Sequence, residues 1–445
     1  MLITGAELAD GKVRDVRIRD GTVDTVEPTS AGLDPVAGER VVDARGRHLL
    51  PGAIDVHVHF REPGGSHKET WESGSKSAAA GGVTTVVDQP NTSPPTVDGD
   101  AFDEKADLAA RSHVDYGING GVTGNWDPES LFDEPLCALG EVFLADSTGE
   151  MGITTELFAD ATQRAAAAGL TVTVHAEDET LFDESTHEAD AGGVGREANA
   201  ELWSAYRAAE AEAAMIEQAT EVGQRTGASI HIAHTSTPEG IDAAVAGGAT
   251  TEVCPHHLYL SRDDLDELGT YGRMNPPLRS ETRRQEVFER VVDGTVDIIA
   301  TDHAPHTREE KEQGLWEAPS GVPGVETMLP LLLESARQGK ISYERIQELV
   351  CTNPARIFNL DTKGHIKPGY DADLTLVDPE AARKIRGADT HTNCEWTPFE
   401  GRLGVFPELT MVRGEVVYER TPGDGDDRSV DSESFGDVQG RNVRT

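Results

Sequence analysis

Eight apolar, strand-like stretches alternate with amphipathic helical segments through the middle of the chain, and this alternation limits the fold more than any other feature. The stretches are AIDVHVH, VTTVVDQPN, HVDYGING, GEVFLAD, LTVTVHAE, SIHIAHTS, TTEVCPHH and VDIIATDHAP. Between them run Ala-rich segments such as TTELFADATQRAAAAG and NAELWSAYRAAEAEAAMIEQATEVGQRTG. Strands joined by helical crossovers run parallel, and eight such units predict an α/β fold, a (β/α)8 TIM barrel over residues 52–360. A doubly wound sheet fits less well, because no GxGxxG turn follows an early strand.

The two chain ends read differently. Residues 1–51 and 361–420 hold short alternating stretches broken by Gly-containing turns, such as VRDVRIRDGTVDTVEP and GHIKPGYDADLTLVDP. They predict a small β-sandwich domain composed of both ends. Residues 421–445, TPGDGDDRSVDSESFGDVQGRNVRT, are polar, acidic and Gly-rich, and are expected to be disordered.

Charge excludes several partners. The chain has 80 acidic and 39 basic residues, a formal net charge of −41, and only nine of the basic residues are lysine. Such a field repels nucleic acid and anionic lipid. Dispersed acid with little lysine reads as adaptation to a salt-rich cytoplasm, where screening relieves the self-repulsion. No run of about 18 apolar residues suggests a membrane span, and the first residues lack a signal pattern, so a cytoplasmic protein is expected. The four cysteines, Cys137, Cys254, Cys351 and Cys394, form no CxxC pair and read as reduced thiols.

Chemistry gathers at the strand ends. His59, Asn91, Asp146, His175, His234, His256 and Asp302 stand at or near the ends of the predicted strands. In a barrel that face carries the active site. Asp55, His57 and His59 share one side of their strand, because residues two apart face alike. Two imidazoles pointing into a barrel need a partner, and a metal ion supplies one. His175 and His234 are the matching ligands from later strands, while His231, three residues before His234, reads as structural. Asp302 ends the apolar run of IIATDHAPH. A carboxylate there can ligate a metal and take the proton of its water. His256 and His257 close the seventh strand, with a substrate contact and a packing role both open. Asp55 reads as a supporting carboxylate.

PGAIDVHVHFREPG and ATDHAPHTREEK together resemble the dihydroorotases among the cyclic amidohydrolases. VCPHHLYL, MNPPLR, GVPGVETMLPLLL, CTNPARIFNL and GHIKPGYDADLTLVD are similar to that family in the same order, so the resemblance covers residues 1–420. It implies a zinc enzyme, with one or two Zn2+ per subunit, that interconverts N-carbamoyl-L-aspartate and L-dihydroorotate in pyrimidine biosynthesis. By resemblance His57 and His59 hold one metal, His175 and His234 a second, and Asp302 is ligand and catalytic general base and acid. Arg61 and Asn91 would grip the substrate carboxylate, Asn275 and His306 would complete the pocket, and Pro323 and Gly324 of the GVPG loop would offer backbone groups to the ring.

One departure concerns the bridging ligand. Many relatives use a carboxylated lysine at the end of the fourth strand, and GEVFLADSTG has none. Asp146 best matches the aspartate that some dihydroorotases place there; Glu141, nearer the lysine position, is its competitor. The resemblance leaves two other functions to weigh, an allantoinase- or hydantoinase-like amidohydrolase and a non-catalytic scaffold for aspartate carbamoyltransferase. Retention of His57, His59, His175, His234 and Asp302 argues against the scaffold. A homo-oligomer is expected, with association with aspartate carbamoyltransferase as a further option.

Overall fold

The computed structural model describes residues 1–145, 151–421 and 432–445. Its N-terminal strands are β1 (Leu2–Glu7), β2 (Val13–Arg19), β3 (Thr22–Pro28), β4 (Val41–Asp43) and β5 (His48–Pro51). Eight parallel strands follow: β6 (Ala53–Val58), β7 (Val83–Asp88), β8 (Asp115–Ile118), β9 (Leu139–Phe143), β10 (Val172–His175), β11 (Ile230–Ile232), β12 (Thr250–Val253) and β13 (Ile298–Ile299). Strands β6–β8 and β9–β13 form two arcs. A bridge between Gly120 and Leu139 joins the arcs on one side, and a bridge between Val58 and His303 closes the ring on the other. The expected barrel is therefore present, with each predicted stretch supplying one strand.

The crossover helices start and stop where local chemistry requires. Thr70, Asp98, Thr154, Thr237 and Ser280 each accept a backbone N–H in the first helical turn, which satisfies donors that have no partner inside the helix. Gly169, Gly227 and Gly248 end their helices at φ of 70°, 77° and 77°, in the left-handed region that glycine enters without a clash. Apolar faces of the helices pack on the strands; Trp71, fully buried, meets Phe60 and Tyr116 edge-on, each at 5.3 Å between ring centres.

Both chain ends build one sheet, as their patterning predicts. Strands β14 (Leu374–Lys384), β15 (Leu403–Val412), β16 (Glu415–Thr421) and β17 (Ser432–Phe435) complete it. Its order is β17-β16-β15-β14-β5-β1-β2-β3, with β4 beside β1, and antiparallel β5–β14 pairing joins the two ends. Ile3, Val16, Leu49, Leu374 and Met411 form its core. Thr410 donates to the Ala79 carbonyl at 2.8 Å, which fixes this sheet to a barrel helix.

The last residues depart from expectation. Residues 432–445 were expected to be disordered, yet they form β17 and then a strap beneath the barrel. Tyr116 N–H donates to Arg441 O at 2.9 Å, Val443 N–H to Tyr116 O at 2.8 Å, and Arg444 Nη2 to the carbonyls of Phe358 at 2.6 Å and Cys137 at 2.9 Å. Composition argues for disorder when apolar burial must order a segment. Here backbone pairing and arginine-to-carbonyl bonds do so instead. Residues 422–431 lie outside the described part.

Candidate active site

The barrel's C-terminal rim brings its polar strand ends to one point. Along β6 the alternation sends His57 inward, and the same side continues to His59 beyond the strand end. Glu141 and Phe143 face inward from β9, and His175 closes β10. His234 and Asp302 follow β11 and β13 by two or three residues. Three site residues hold left-handed backbones: Arg61 at φ 63°, His234 at 36° and Asp302 at 45°. Such conformations are uncommon outside glycine and cluster where surrounding structure forces a side chain toward a site.

Four histidines surround two carboxylates, Glu141 and Asp302. His175 Nδ1 and His234 Nε2 lie 3.0 Å apart, and both face the same oxygen of Glu141, at 3.0 and 2.7 Å. The other Glu141 oxygen is 3.2 Å from His57 Nε2. Asp302 Oδ1 stands 2.9 Å from His59 Nε2 and 3.6 Å from His57 Nε2. Metal-capable atoms of His57, His59 and Glu141, and those of Glu141, His175 and His234, fall in two groups whose members lie within 4.8 Å of one another. Glu141 belongs to both. All are buried.

The groups behind the histidines orient them. Glu252 holds His57 Nδ1 at 2.6 Å and is itself bonded by His231 Nε2 at 3.1 Å. Glu177 holds His175 Nε2 at 3.0 Å, and Arg207 grips Glu177 from Nε and Nη2, the shorter contact being 2.6 Å. Asn91 Oδ1 meets His59 Nδ1 at 2.7 Å. His57, His59 and His175 thus each have one nitrogen fixed and present the other to the centre. Asp55 accepts from Thr301 and from the His57 N–H, and burial pushes its carboxyl up to about 6. It ties the ends of β6 and β13 and supports the site without entering it.

The electrostatics suit a cation. Burial alone would raise Glu141, yet His57, His234 and His175 outweigh it and hold this carboxyl well below its usual range. Burial would lower His175, but Glu141 and Glu177 lift it to about 9. His57 is raised in the same way by Glu141 and Glu252. Without a metal, protons on the imidazoles neutralise the buried carboxylates; a divalent ion replaces those protons.

A small cavity opens over this cluster. Its lining includes His59, Arg61, Asn91, Glu141, His175, His234, Asn275 and Asp302, together with Phe143, Ala304, Ser320 and Gly321. Arg61 donates from Nε to Pro305 O at 3.2 Å, and among the described residues no carboxylate comes within 4.0 Å of its guanidinium. His306 lies beside it, 3.1 Å from Arg61 Nη2. Lys68 donates to His306 Nδ1 at 3.1 Å, and Nε2 faces the Ser320 carbonyl at 3.0 Å. Burial and then Arg61 hold this imidazole well below its usual range, hence neutral. Asn275 is fixed through Oδ1 by Trp203 and Ser320, both at 3.1 Å.

Three of the expected pocket residues stand outside this lining, His306 among them, behind Arg61. Pro323 and Gly324 line a separate cavity with His303 and Trp396, and the Gly324 N–H is directed to His303 Nδ1 at 3.1 Å. Ser320 and Gly321, at the start of the same loop, take the place foreseen for them. Asp146, the expected bridging ligand, lies outside the described residues; Glu141 occupies the middle of the cluster. Glu177, Arg207 and Glu252 carried no signal in the sequence, because a lone carboxylate or arginine between apolar residues has no distinctive spacing.

The site and fold define a class. A model of the Amidohydrolase family matches residues 48–417, and the chain belongs to that family. Among its relatives is the dihydroorotase of Halobacterium salinarum, 61% identical over 445 residues that span 100% of this chain and 99% of the relative. The dihydroorotase of Methanosarcina mazei is 43% identical over 397 residues, 86% of each chain. Among solved structures the L-hydantoinase (dihydropyrimidinase) of Arthrobacter aurescens superposes with a TM-score of 0.87 at 29% identity, covering 94% of this chain and 96% of that one.

Proposed function

We infer that the chain is a dihydroorotase, which opens and closes the ring between L-dihydroorotate and N-carbamoyl-L-aspartate in pyrimidine biosynthesis. Full-length 61% identity to a relative of that name supports this reading. The observation that carries it is Arg61. Its guanidinium borders the cavity with no carboxylate partner among the described residues, so the site demands an anion. A buried unpaired charge is unfavourable, and a carboxylate is the planar group that a guanidinium binds two-pronged. Dihydroorotate carries a carboxylate; a plain hydantoin ring does not. A hydantoinase is the second reading, favoured only by the shape of its solved relatives.

The residues fit a divalent metal. Imidazole and carboxylate donors converge where nothing but protons would otherwise separate them, and zinc suits this set, as one or two ions per subunit. Glu141, shared by both ligand groups, is the bridge in this reading, standing in for the carboxylated lysine of other members. His57, His59 and Asp302 would hold one ion, and His175 and His234 the other. The metal supplies a Lewis acid for the ring amide carbonyl and lowers the pKa of water.

The chain's own groups do the rest. Arg61, Asn91 and Asn275 orient the substrate by its carboxylate and ring amides. Asp302 takes the proton of the attacking water and hands it to the ring nitrogen as the C–N bond breaks. In the closing direction it removes the proton from the ureido nitrogen. His306, neutral and fixed by Lys68 and Ser320, packs beside Arg61 without adding charge.

The test is a substrate panel of dihydroorotate, hydantoin and allantoin in high salt, with metal counts on Glu141→Gln and Asp146→Asn. Dihydroorotate should be the favoured substrate. Glu141→Gln should lose metal and fall by about two orders of magnitude or more in turnover, the loss expected when a ligand and its charge go. Preference for hydantoin overturns the substrate. Metal loss in Asp146→Asn with full retention in Glu141→Gln reassigns the bridge.

A further inference from the structure

Cys254, His256 and His257 stand beside the cluster around Glu141 but take no part in it. They close β12 and open the short helix Pro255–Tyr259. Their exposures are 0%, 1% and 3%. One donor atom from each, the Cys254 sulfur and a ring nitrogen of each histidine, lies within 4.8 Å of the other two. The rings meet edge to face at 4.3 Å.

The hydrogen bonding is incomplete in a telling way. His257 donates Nε2–H to the Pro276 carbonyl at 2.9 Å, so its Nδ1 is a bare lone pair. That Nδ1 has no partner among the described residues, and neither does His256 Nε2. Each buried, unsatisfied nitrogen costs about 1–3 kcal/mol. Two in consecutive residues beside a thiol form a soft-ligand set of the kind zinc favours.

We propose that Cys254, His256 and His257 form a further cation site, for a thiophilic divalent ion such as zinc, distinct from the His and carboxylate centre. The sulfur and the two lone pairs supply three ligands and leave a fourth position open to water. In a tetrahedral zinc site such atoms sit about 3.5 Å apart, so small ring and thiol rotations close the set. On binding, the Cys254 S–H bond breaks, the sulfur keeps the electron pair for the metal and the proton leaves to solvent. Burial holds His256 near 4 and His257 well below its usual range, so no proton competes for either ring at neutral pH. The ion would tie the end of β12 to the first turn of the helix Pro255–Tyr259.

Sulfur makes the site separable from the other one. The full-length protein is loaded with cobalt(II) in molar KCl and read by absorption and metal count. The wild type should show a near-ultraviolet thiolate-to-cobalt band. Cys254→Ser should lose that band and one cobalt per chain, while keeping its visible cobalt bands and dihydroorotate hydrolysis. His257→Gln, which keeps the thiol, should weaken the band at equal free cobalt. The absence of a thiolate band in saturated wild type overturns the proposal. So does a band that survives Cys254→Ser, since it then arises at Cys137, Cys351 or Cys394. Neither result bears on the substrate or on Glu141, whose cluster has no sulfur.

Discussion

Arg61, His234 and Asp302 hold their functional groups through left-handed backbones, each of which disfavours the folded chain by about 1–2 kcal/mol. What these residues gain is aim. Arg61→Met removes the charge facing the cavity and leaves the metal cluster intact. It should raise KM for dihydroorotate about 100-fold with a smaller change in kcat, the signature of lost carboxylate binding, measured by steady-state kinetics. Glu177→Gln removes the carboxylate charge that His175 and Arg207 share. It should weaken metal retention about 10–100-fold, read by competition with a chelator, while Arg61-dependent KM stays put. The histidines of this site were legible because HxH alternation and strand-end placement have a physical reason. The carboxylate at the centre of the cluster, Glu141, was legible only as the alternative to Asp146. The strand β9 ends at Phe143, so Glu141 is an interior residue of the strand rather than a residue past its end. Sequence periodicity does not fix where a strand stops to within two or three residues.

The elements that matter most beyond the barrel are β17 and the strap after it. His391 lies between two carboxylates, with Nδ1 3.0 Å from Glu326 and Nε2 3.3 Å from Glu433 on β17. Burial would lower this imidazole, but the two carboxylates raise it to about 10. An unfolded histidine titrates near 6.5. The folded pKa is the higher one, so the stabilisation is fully present below about 6.5 and is lost as pH climbs through 10. The protection of β17 amides, with exchange corrected for its intrinsic base catalysis, should therefore fall toward alkaline pH, and His391→Gln should remove that fall, as mass-detected hydrogen exchange can show. The strands of this sheet were legible from alternation and turns. The strap was not, because its order rests on Arg444 and Arg413 reaching carbonyls far away in the chain, including that of Gln439 within the strap itself.

At the scale of the molecule, a charge of −41 sets the conditions of stability. Raising ionic strength from about 0.1 to about 1 M shortens the screening length from about 10 to about 3 Å. Repulsion between dispersed surface carboxylates should fall accordingly, while the buried pairs change little. The melting temperature should climb with KCl over that range, followed by circular dichroism; a flat or falling trend would sink the salt-adapted reading. The barrel itself was the most legible feature, since eight alternations of strand and helix admit few other closures.

The seam between the sheet and the barrel base has a mechanical consequence. Arg441, Val443 and Arg444 make their contacts under β8 and near Cys137 and Phe358. The same segment is held to the sheet through β17. It acts as a rivet, so the two parts should come undone together rather than in turn.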